Sequence, residues 1–158
     1  MVTQSRTAIV STMGDSVVLD ANVIVGWLDD KDALHERAKA LTFQLKLDGA
    51  MPVLVDFLVA EAVSVFTRRA RERKAPQQLR TLLATTRSWE QQILPLVAST
   101  SRLWGAVHDV IDASSGRLNF NDALLVLLQA ERWIGTVATF DEGFRDFPGF
   151  KHIGLPPR

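Results

Sequence analysis

The chain of 158 residues contains no cysteine. This absence excludes disulfide bonds, zinc–thiolate sites and a thiol nucleophile, and it is compatible with a reducing cytoplasm. The chain also lacks an excess of either charge, since 18 basic residues stand against 18 acidic ones. Without a global positive field, a polyanion would have to bind through a local patch or through metal ions.

Long apolar runs are missing as well. The longest near-apolar run, residues 123–128, is far shorter than the ~20 residues that cross a bilayer. The first residues lack the basic start and apolar core of a signal peptide. We therefore expect a cytoplasmic protein without membrane association, with an N-terminal extension over residues 1–15 and a single domain over residues 16–158.

Short apolar segments alternate with amphipathic ones along the chain, and this pattern predicts strands that alternate with helices. The predicted strands cover residues 17–20, 52–55, 93–97, 135–139 and 152–153. The predicted helices begin at or near residues 22, 29, 56, 76, 99, 119 and 141. Such alternation is typical of an α/β domain with a parallel sheet and helices on both of its faces.

The stretch VVLDANVIV, residues 17–25, contains an acid in an apolar run. Asp20 stands where a buried strand ends, and ligands of open parallel sheets bind just outside the carboxyl ends of the strands. Capping of the next helix explains the same residue equally well, because aspartate is a common N-cap. For Asp20 alone both interpretations stay open.

Glu61 lies inside the apolar helical segment VDFLVAEAVSVF, with no lysine or arginine following it until Arg68. Burying an unpaired carboxylate is costly, so Glu61 should pair with a cation, be protonated or bind a metal. The alternative is a glutamate on the solvent-facing stripe of its helix. The density of apolar neighbours favours a role in a site.

Asp122 and Asp141 each stand where a predicted helix begins, and capping explains either residue taken alone. In a parallel α/β domain, such beginnings gather at the sheet edge where Asp20 lies. Carboxylates brought together without basic partners repel one another, and a divalent cation relieves that repulsion. Oxygen ligands without histidine or cysteine favour magnesium or manganese over zinc or copper. The four acids therefore predict a site that can activate water and stabilise the charge of an in-line phosphoryl displacement.

With these motifs the chain resembles PIN-domain ribonucleases, and in particular the VapC toxins of toxin–antitoxin pairs. The matching segments are VVLDANVIVGWL with Asp20, VDFLVAEAVSVF with Glu61, LNFNDALLVLLQAE with Asp122 and VATFDEGF with Asp141. Together with DALHERAKAL they cover roughly residues 16–153. In this family a small residue is commoner at the position of Asn121.

The resemblance implies a three-layer PIN-like fold, with a central parallel five-stranded sheet flanked by helices. It also implies an endoribonuclease in which Asp20, Glu61, Asp122 and Asp141 are the metal-site and catalytic acids, with Mg²⁺ or Mn²⁺ as cofactor. Glu61 and Asp122 would help to place the attacking water, and Asn22 and Thr139 would line the same pocket. The expected partners are an RNA substrate, a cognate antitoxin protein and a second copy of the chain in a homodimer.

Two further features have alternative interpretations. Residues 68–74 carry five basic side chains, which either grip RNA phosphates or complement the end of a helix while staying solvated; the second is favoured because a helix spreads them over several directions. The four tryptophans could stack on bases, but their apolar helical surroundings favour core or partner-interface positions for three of them. The alternative function is a catalytically silent protein-binding module of the same fold.

Overall fold

The computed structural model describes residues 16–157. The predicted N-terminal extension, residues 1–15, lies outside the described residues. The described strands are β1 (Ser16–Leu19), β2 (Met51–Val55), β3 (Ile93–Leu94), β4 (Thr136–Ala138) and β5 (His152–Ile153). The described α-helices are α1 (Ala21–Leu28), α2 (His35–Leu47), α3 (Asp56–Glu72), α4 (Pro76–Arg87), α5 (Ser99–Ala113) and α6 (Phe120–Ala130). A short 3₁₀ helix covers Glu142–Phe144.

The strands form one five-stranded sheet in the order β3-β2-β1-β4-β5, and every neighbouring pair is parallel. The predicted α/β class and the parallel five-stranded sheet flanked by helices are therefore confirmed. In the pairing of β1 with β4, Leu19 stands opposite Ala138. The residues that follow, Asp20 and Thr139, leave the sheet side by side at its carboxyl edge.

The core lies around β1 and α6. All four residues of β1 are buried, as expected for a central parallel strand covered on both faces. Helix α6 begins with a buried acid and continues with Ala123, Leu124 and Leu125, which have almost no exposed surface. Because α6 is packed so deeply, its first turn holds Asp122 at a fixed place beside the sheet edge.

Two boundaries differ from the predictions by more than one residue. Helix α2 begins at His35, later than the acidic run 29–32, because Asp29 and Asp32 accept hydrogen bonds from nearby backbone N–H groups in a turn. Strand β3 ends at Leu94, since Pro95 cannot donate a ladder hydrogen bond. No helix within residues 16–157 is long and apolar enough to cross a membrane.

Candidate functional site

Asp20 is the most constrained acid at the carboxyl edge of the sheet. Its side chain is the N-cap of α1, and its Oδ1 accepts the Ala21 N–H at 2.7 Å. Its Oδ2 accepts hydrogen bonds from Thr139 Oγ1 at 2.6 Å and from Asn22 Nδ2 at 3.0 Å. Asp20 is only 4% exposed. The capping interpretation is therefore correct, and the same carboxylate is held at the edge of a polar network.

Thr139 and Asn22 connect the ends of β1 and β4. The Thr139 hydroxyl donates to Asp20 and accepts the Asp141 N–H at 3.0 Å. Asn22 Oδ1 accepts the Phe140 N–H at 3.1 Å. Both residues predicted to line the pocket thus contact Asp20, and they fix its carboxylate relative to the segment that carries Asp141.

Asp122 and Asp141 each cap a helix, as the alternative interpretation predicted. Asp122 forms a capping box with Asn119: its Oδ2 accepts the Asn119 N–H at 2.8 Å, and Asn119 Oδ1 accepts the Asp122 N–H at 3.0 Å. Asp141 caps the 3₁₀ helix by accepting the Gly143 N–H at 2.7 Å. Among residues 16–157, nothing donates a hydrogen bond to the second oxygen of either carboxylate.

Glu61 is half-buried on α3 and has a partner that the sequence did not predict. Its Oε2 accepts a hydrogen bond from the side-chain amide of Asn121 at 2.7 Å. Within the described residues, none of the ion pairs includes Glu61. Asn121 is the functional candidate that sequence reasoning missed. Its only signal was a polar residue directly before Asp122, where the family commonly has a small one.

The electrostatics couple all four acids. Burial raises the pKa of Asp20 to about 6; the hydrogen bonds from Thr139 and Ala21 oppose this shift, and repulsion by Glu61 and Asp141 adds to it. Burial likewise raises the pKa of Asp122 to about 7, against the Asn119 hydrogen bond and with repulsion from Asp20, Asp141 and Glu61. Across residues 16–157, no salt bridge neutralises any of these four carboxylates.

The chemical type of the four candidate ligands suits a hard divalent cation. All four candidate ligands are carboxylates, and such cations prefer oxygen donors. In residues 16–157 the only fully buried side-chain polar atom without a hydrogen bond is His152 Nδ1, so the unbonded carboxylate oxygens of Asp122 and Asp141 are not fully enclosed by protein. In the described part of the chain, however, no three His, Asp or Glu side chains stand close enough to form a metal site. The four acids therefore suit such a cation in ligand type, charge and accessibility, although they are not arranged as a complete metal-binding site.

Some of the basic and aromatic side chains lie in surroundings that the sequence did not predict. Arg69 and Arg73 pair with the buried Asp29, a contact that neither interpretation of the basic stretch predicted, and their side chains remain 29% and 30% exposed. Trp27 stacks on Trp89 with ring centroids 5.9 Å apart. Trp104 is exposed on α5, so it is not a core residue.

Comparisons with known proteins give one match. The sequence model of the PIN domain family matches residues 17–149, a range that contains all four acids. No curated protein and no solved structure matches the chain at a significant level.

Proposed function

Because this chain belongs to the PIN domain family, whose members are generally nucleases, we propose that it is an endoribonuclease that depends on magnesium or manganese. We further propose that it is the toxin of a toxin–antitoxin pair, on the basis of its overall size and its resemblance to VapC toxins. The observation that carries the nuclease proposal is the group of four electrostatically coupled carboxylates at one sheet edge.

Capping accounts for the places of three of these acids, but it does not account for a group of four carboxylates that has no ion-pair partner within residues 16–157. Capping a helix needs one acid, and capping at Asp20, Asp122 and Asp141 would work as well if these residues lay far apart. Burial and, to a smaller extent, mutual repulsion raise the pKa values of Asp20 and Asp122, and this costs stability at neutral pH. Sites that trade stability for chemistry are typically functional.

In this proposal the cation would be held by Asp20, Asp122, Asp141 and Glu61. When bound, it would supply positive charge next to the phosphate and lower the pKa of a water molecule. Thr139 and Asn22 orient the Asp20 carboxylate through their hydrogen bonds. Asn121 orients Glu61 in the same way. Glu61 and Asp122 would help to place the attacking water, and a carboxylate oxygen of one of them would accept its proton. Water oxygen would bond to phosphorus as the bond to the 3′ oxygen breaks, which leaves a 5′-phosphate and a 3′-hydroxyl.

Cleavage of RNA by the purified chain, freed of any bound antitoxin, tests the nuclease proposal. We expect cutting with added Mg²⁺ or Mn²⁺ and none in EDTA. Asp20→Asn, Asp122→Asn and Glu61→Gln should abolish it. Glu72→Gln is the matched control, because Glu72 is an exposed glutamate on the same helix as Glu61 and should not affect cleavage. Full cleavage by both Asp20→Asn and Asp122→Asn would overturn the proposal.

The toxin role has a separate test in cells. Expression of the chain should arrest bacterial growth, whereas the Asp20→Asn variant should not. A small DNA-binding protein encoded immediately upstream should restore growth when co-expressed, and sedimentation should show a homodimer of the chain. Normal growth during expression of a nuclease-active chain would remove the toxin role and leave the nuclease proposal intact.

A catalytically silent binding module is the second candidate. It is favoured by the finding that no three acids in residues 16–157 stand close enough to hold a metal. Titration calorimetry distinguishes the two functions: heat from Mg²⁺ or Mn²⁺ that disappears in Asp122→Asn supports the nuclease, and the absence of such heat in the parent chain supports the silent module.

A further inference from the structure

Three rings form an exposed cluster on α5 and the start of α6, which we call the aromatic face: Trp104, His108 and Phe120. The Trp104 ring lies 5.1 Å from the His108 ring and 5.3 Å from the Phe120 ring, tilted against each. His108 and Phe120 meet edge to face at 6.4 Å. Although Trp104 touches both neighbours, it is 56% exposed. A large indole surface is therefore presented to solvent.

The aromatic face is fixed in position by hydrogen bonds and by its helices. His108 lies one turn after Trp104 on α5, and its Nδ1 donates to the Trp104 carbonyl oxygen at 2.7 Å. Phe120 is the first residue of α6, whose start is held by the capping box of Asn119 and Asp122. Because Trp104 is 56% exposed, part of its ring surface is accessible to a flat ligand.

The aromatic face adjoins the candidate site through the first turn of α6. Phe120 directly precedes Asn121, whose amide binds Glu61, and it stands two residues before Asp122. Arg117, in the connection between α5 and α6, has a mostly exposed guanidinium whose ion pair with Asp146 is long, at 4.0 Å. Residues 117–122 thus carry the Arg117 guanidinium, the Phe120 ring and two residues of the acidic site, Asn121 and Asp122.

We infer that the aromatic face is a stacking subsite for an unpaired base of single-stranded RNA, which lies next to the phosphodiester that the four acids cleave. The inference rests on the proposed nuclease function. Ring faces bind any base by stacking, whereas the bases of a duplex are already stacked on each other and out of reach. The face consists of rings rather than aliphatic side chains, and its Phe120 lies in the same helical turn as Asp122; both features favour a nucleotide over a protein partner.

The test measures RNA binding separately from cleavage. The affinity of the full chain for a fluorescein-labelled single-stranded oligoribonucleotide is measured by anisotropy in EDTA, where no cutting occurs. Trp104→Ala should raise Kd by about 5- to 100-fold, the range expected for the loss of one base–aromatic stack. Trp104→Phe should retain most of the affinity. Phe43→Ala is the matched control, because Phe43 is an aromatic residue on α2 that is 62% exposed, and its Kd should equal that of the parent chain.

Kinetics in Mg²⁺ complete the test. If the face binds substrate, Trp104→Ala should raise KM with little change in kcat. Equal Kd and KM for Trp104→Ala and the parent chain would overturn the subsite, even where the parent cleaves RNA normally. A change of oligomeric state in Trp104→Ala with unchanged RNA affinity would also overturn it, in favour of a protein interface. If the parent binds RNA but does not cleave it, the nuclease proposal fails, and the Kd comparison still decides whether the face stacks bases.

Discussion

Three of the four acids stand at helix starts: Asp20, Asp122 and Asp141. A helix N-terminus presents unpaired N–H groups and the positive end of the helix dipole, so it favours a negative side chain. Capping and site chemistry therefore do not compete at these positions. The caps offset part of the mutual repulsion, and they orient each carboxylate while one oxygen of Asp122 and one of Asp141 are not fully enclosed by protein.

Asn121 should act as a positioning residue for Glu61. We expect Asn121→Ala to lower the cleavage rate by about 10- to 100-fold, the usual effect of removing a group that orients a metal-binding side chain. The Mn²⁺ concentration for half-maximal activity should rise with it. Rates measured across a Mn²⁺ titration check this, beside thermal unfolding to confirm the fold. A lower rate with unchanged metal dependence would show that Asn121 does not act through Glu61.

The sequence was sufficient to select the acids but not their contacts. Asp20, Asp122 and Asp141 stand next to boundaries that hydrophobic periodicity locates well, and Glu61 is conspicuous among apolar neighbours. The bond from Asn121 to Glu61 joins residues 60 positions apart. It depends on how α3 and α6 lie against each other, which is determined by packing over the whole core, so no local pattern could predict it.

At the scale of elements, a polar clamp ties the end of α1 to the end of α3. Asp29 follows α1 and is 1% exposed. It accepts hydrogen bonds from Arg73 Nη1 at 2.9 and 3.0 Å, from Arg69 at 3.2 Å and from Gln78 at 3.2 Å. This clamp explains why the acidic run does not open a helix: its carboxylates bind cations 40 residues away along the chain. Periodicity and capping rules report on local structure and do not include such a contact.

Breaking this clamp should destabilise the fold. Arg73→Met leaves Asp29 with Arg69, Gln78 and the Lys31 N–H, so we expect a loss of about 1–3 kcal/mol, below the cost of leaving a buried charge without any partner. Thermal unfolding at pH 7 should show a midpoint several degrees lower. Arg71→Met is the matched control, since Arg71 is exposed on the same helix, and its midpoint should stay within a degree or so of the parent. Equal midpoints for the two variants would show that the clamp is not stabilising.

The turn after β5 packs against the backbone of Thr139, a residue of the candidate site. Gly154 has φ +102°, and a Cβ there would lie 2.7 Å from the carbonyl oxygen of Thr139, whose hydroxyl binds Asp20. Gly154→Ala should therefore lower both stability, by about 1–3 kcal/mol, and activity. Gly149→Ala is the matched control, because Gly149 has φ +79° with nothing within 4 Å of its Cβ. Unfolding and cleavage measured on both variants separate backbone strain from the clash with Thr139, and equal losses would contradict an effect through Thr139.

The whole molecule combines two sets of carboxylates whose pKa values are shifted in opposite directions. Although burial opposes it, the hydrogen bonds from Arg73 and Arg69 hold the pKa of Asp29 below its ordinary value of 3.8. Asp29 therefore stabilises the fold above about pH 4, and this contribution is lost as the pH falls further. Asp20 and Asp122 have the opposite effect, because their folded pKa values of about 6 and about 7 exceed the ordinary 3.8.

These opposed shifts predict a stability maximum at mildly acidic pH in EDTA. Between about pH 4 and pH 7 the folded state retains protons on Asp20 and Asp122 that the unfolded state has released, so the free energy of unfolding falls as pH rises. Asp20 alone accounts for about 3 kcal/mol, at 1.36 kcal/mol for each pKa unit. Asp122→Asn keeps an oxygen for the Asn119 N–H and removes one repelling charge, so this inactive variant should be more stable than the parent at pH 8. Urea unfolding from pH 3 to pH 9 checks both expectations.

Divalent metal should reverse this trend, because it binds the deprotonated acids and stabilises only the folded state. With saturating Mg²⁺ or Mn²⁺, the gain in unfolding free energy should therefore be larger at pH 8 than at pH 5, and it should be small in Asp122→Asn. Glu72→Gln, the exposed control on α3, should follow the parent at every pH. A parent chain that becomes more stable between pH 5 and pH 8 in EDTA would show that the pKa values of Asp20 and Asp122 are not raised in the folded state, and the argument for a metal that relieves this cost at the sheet edge would lose its physical basis.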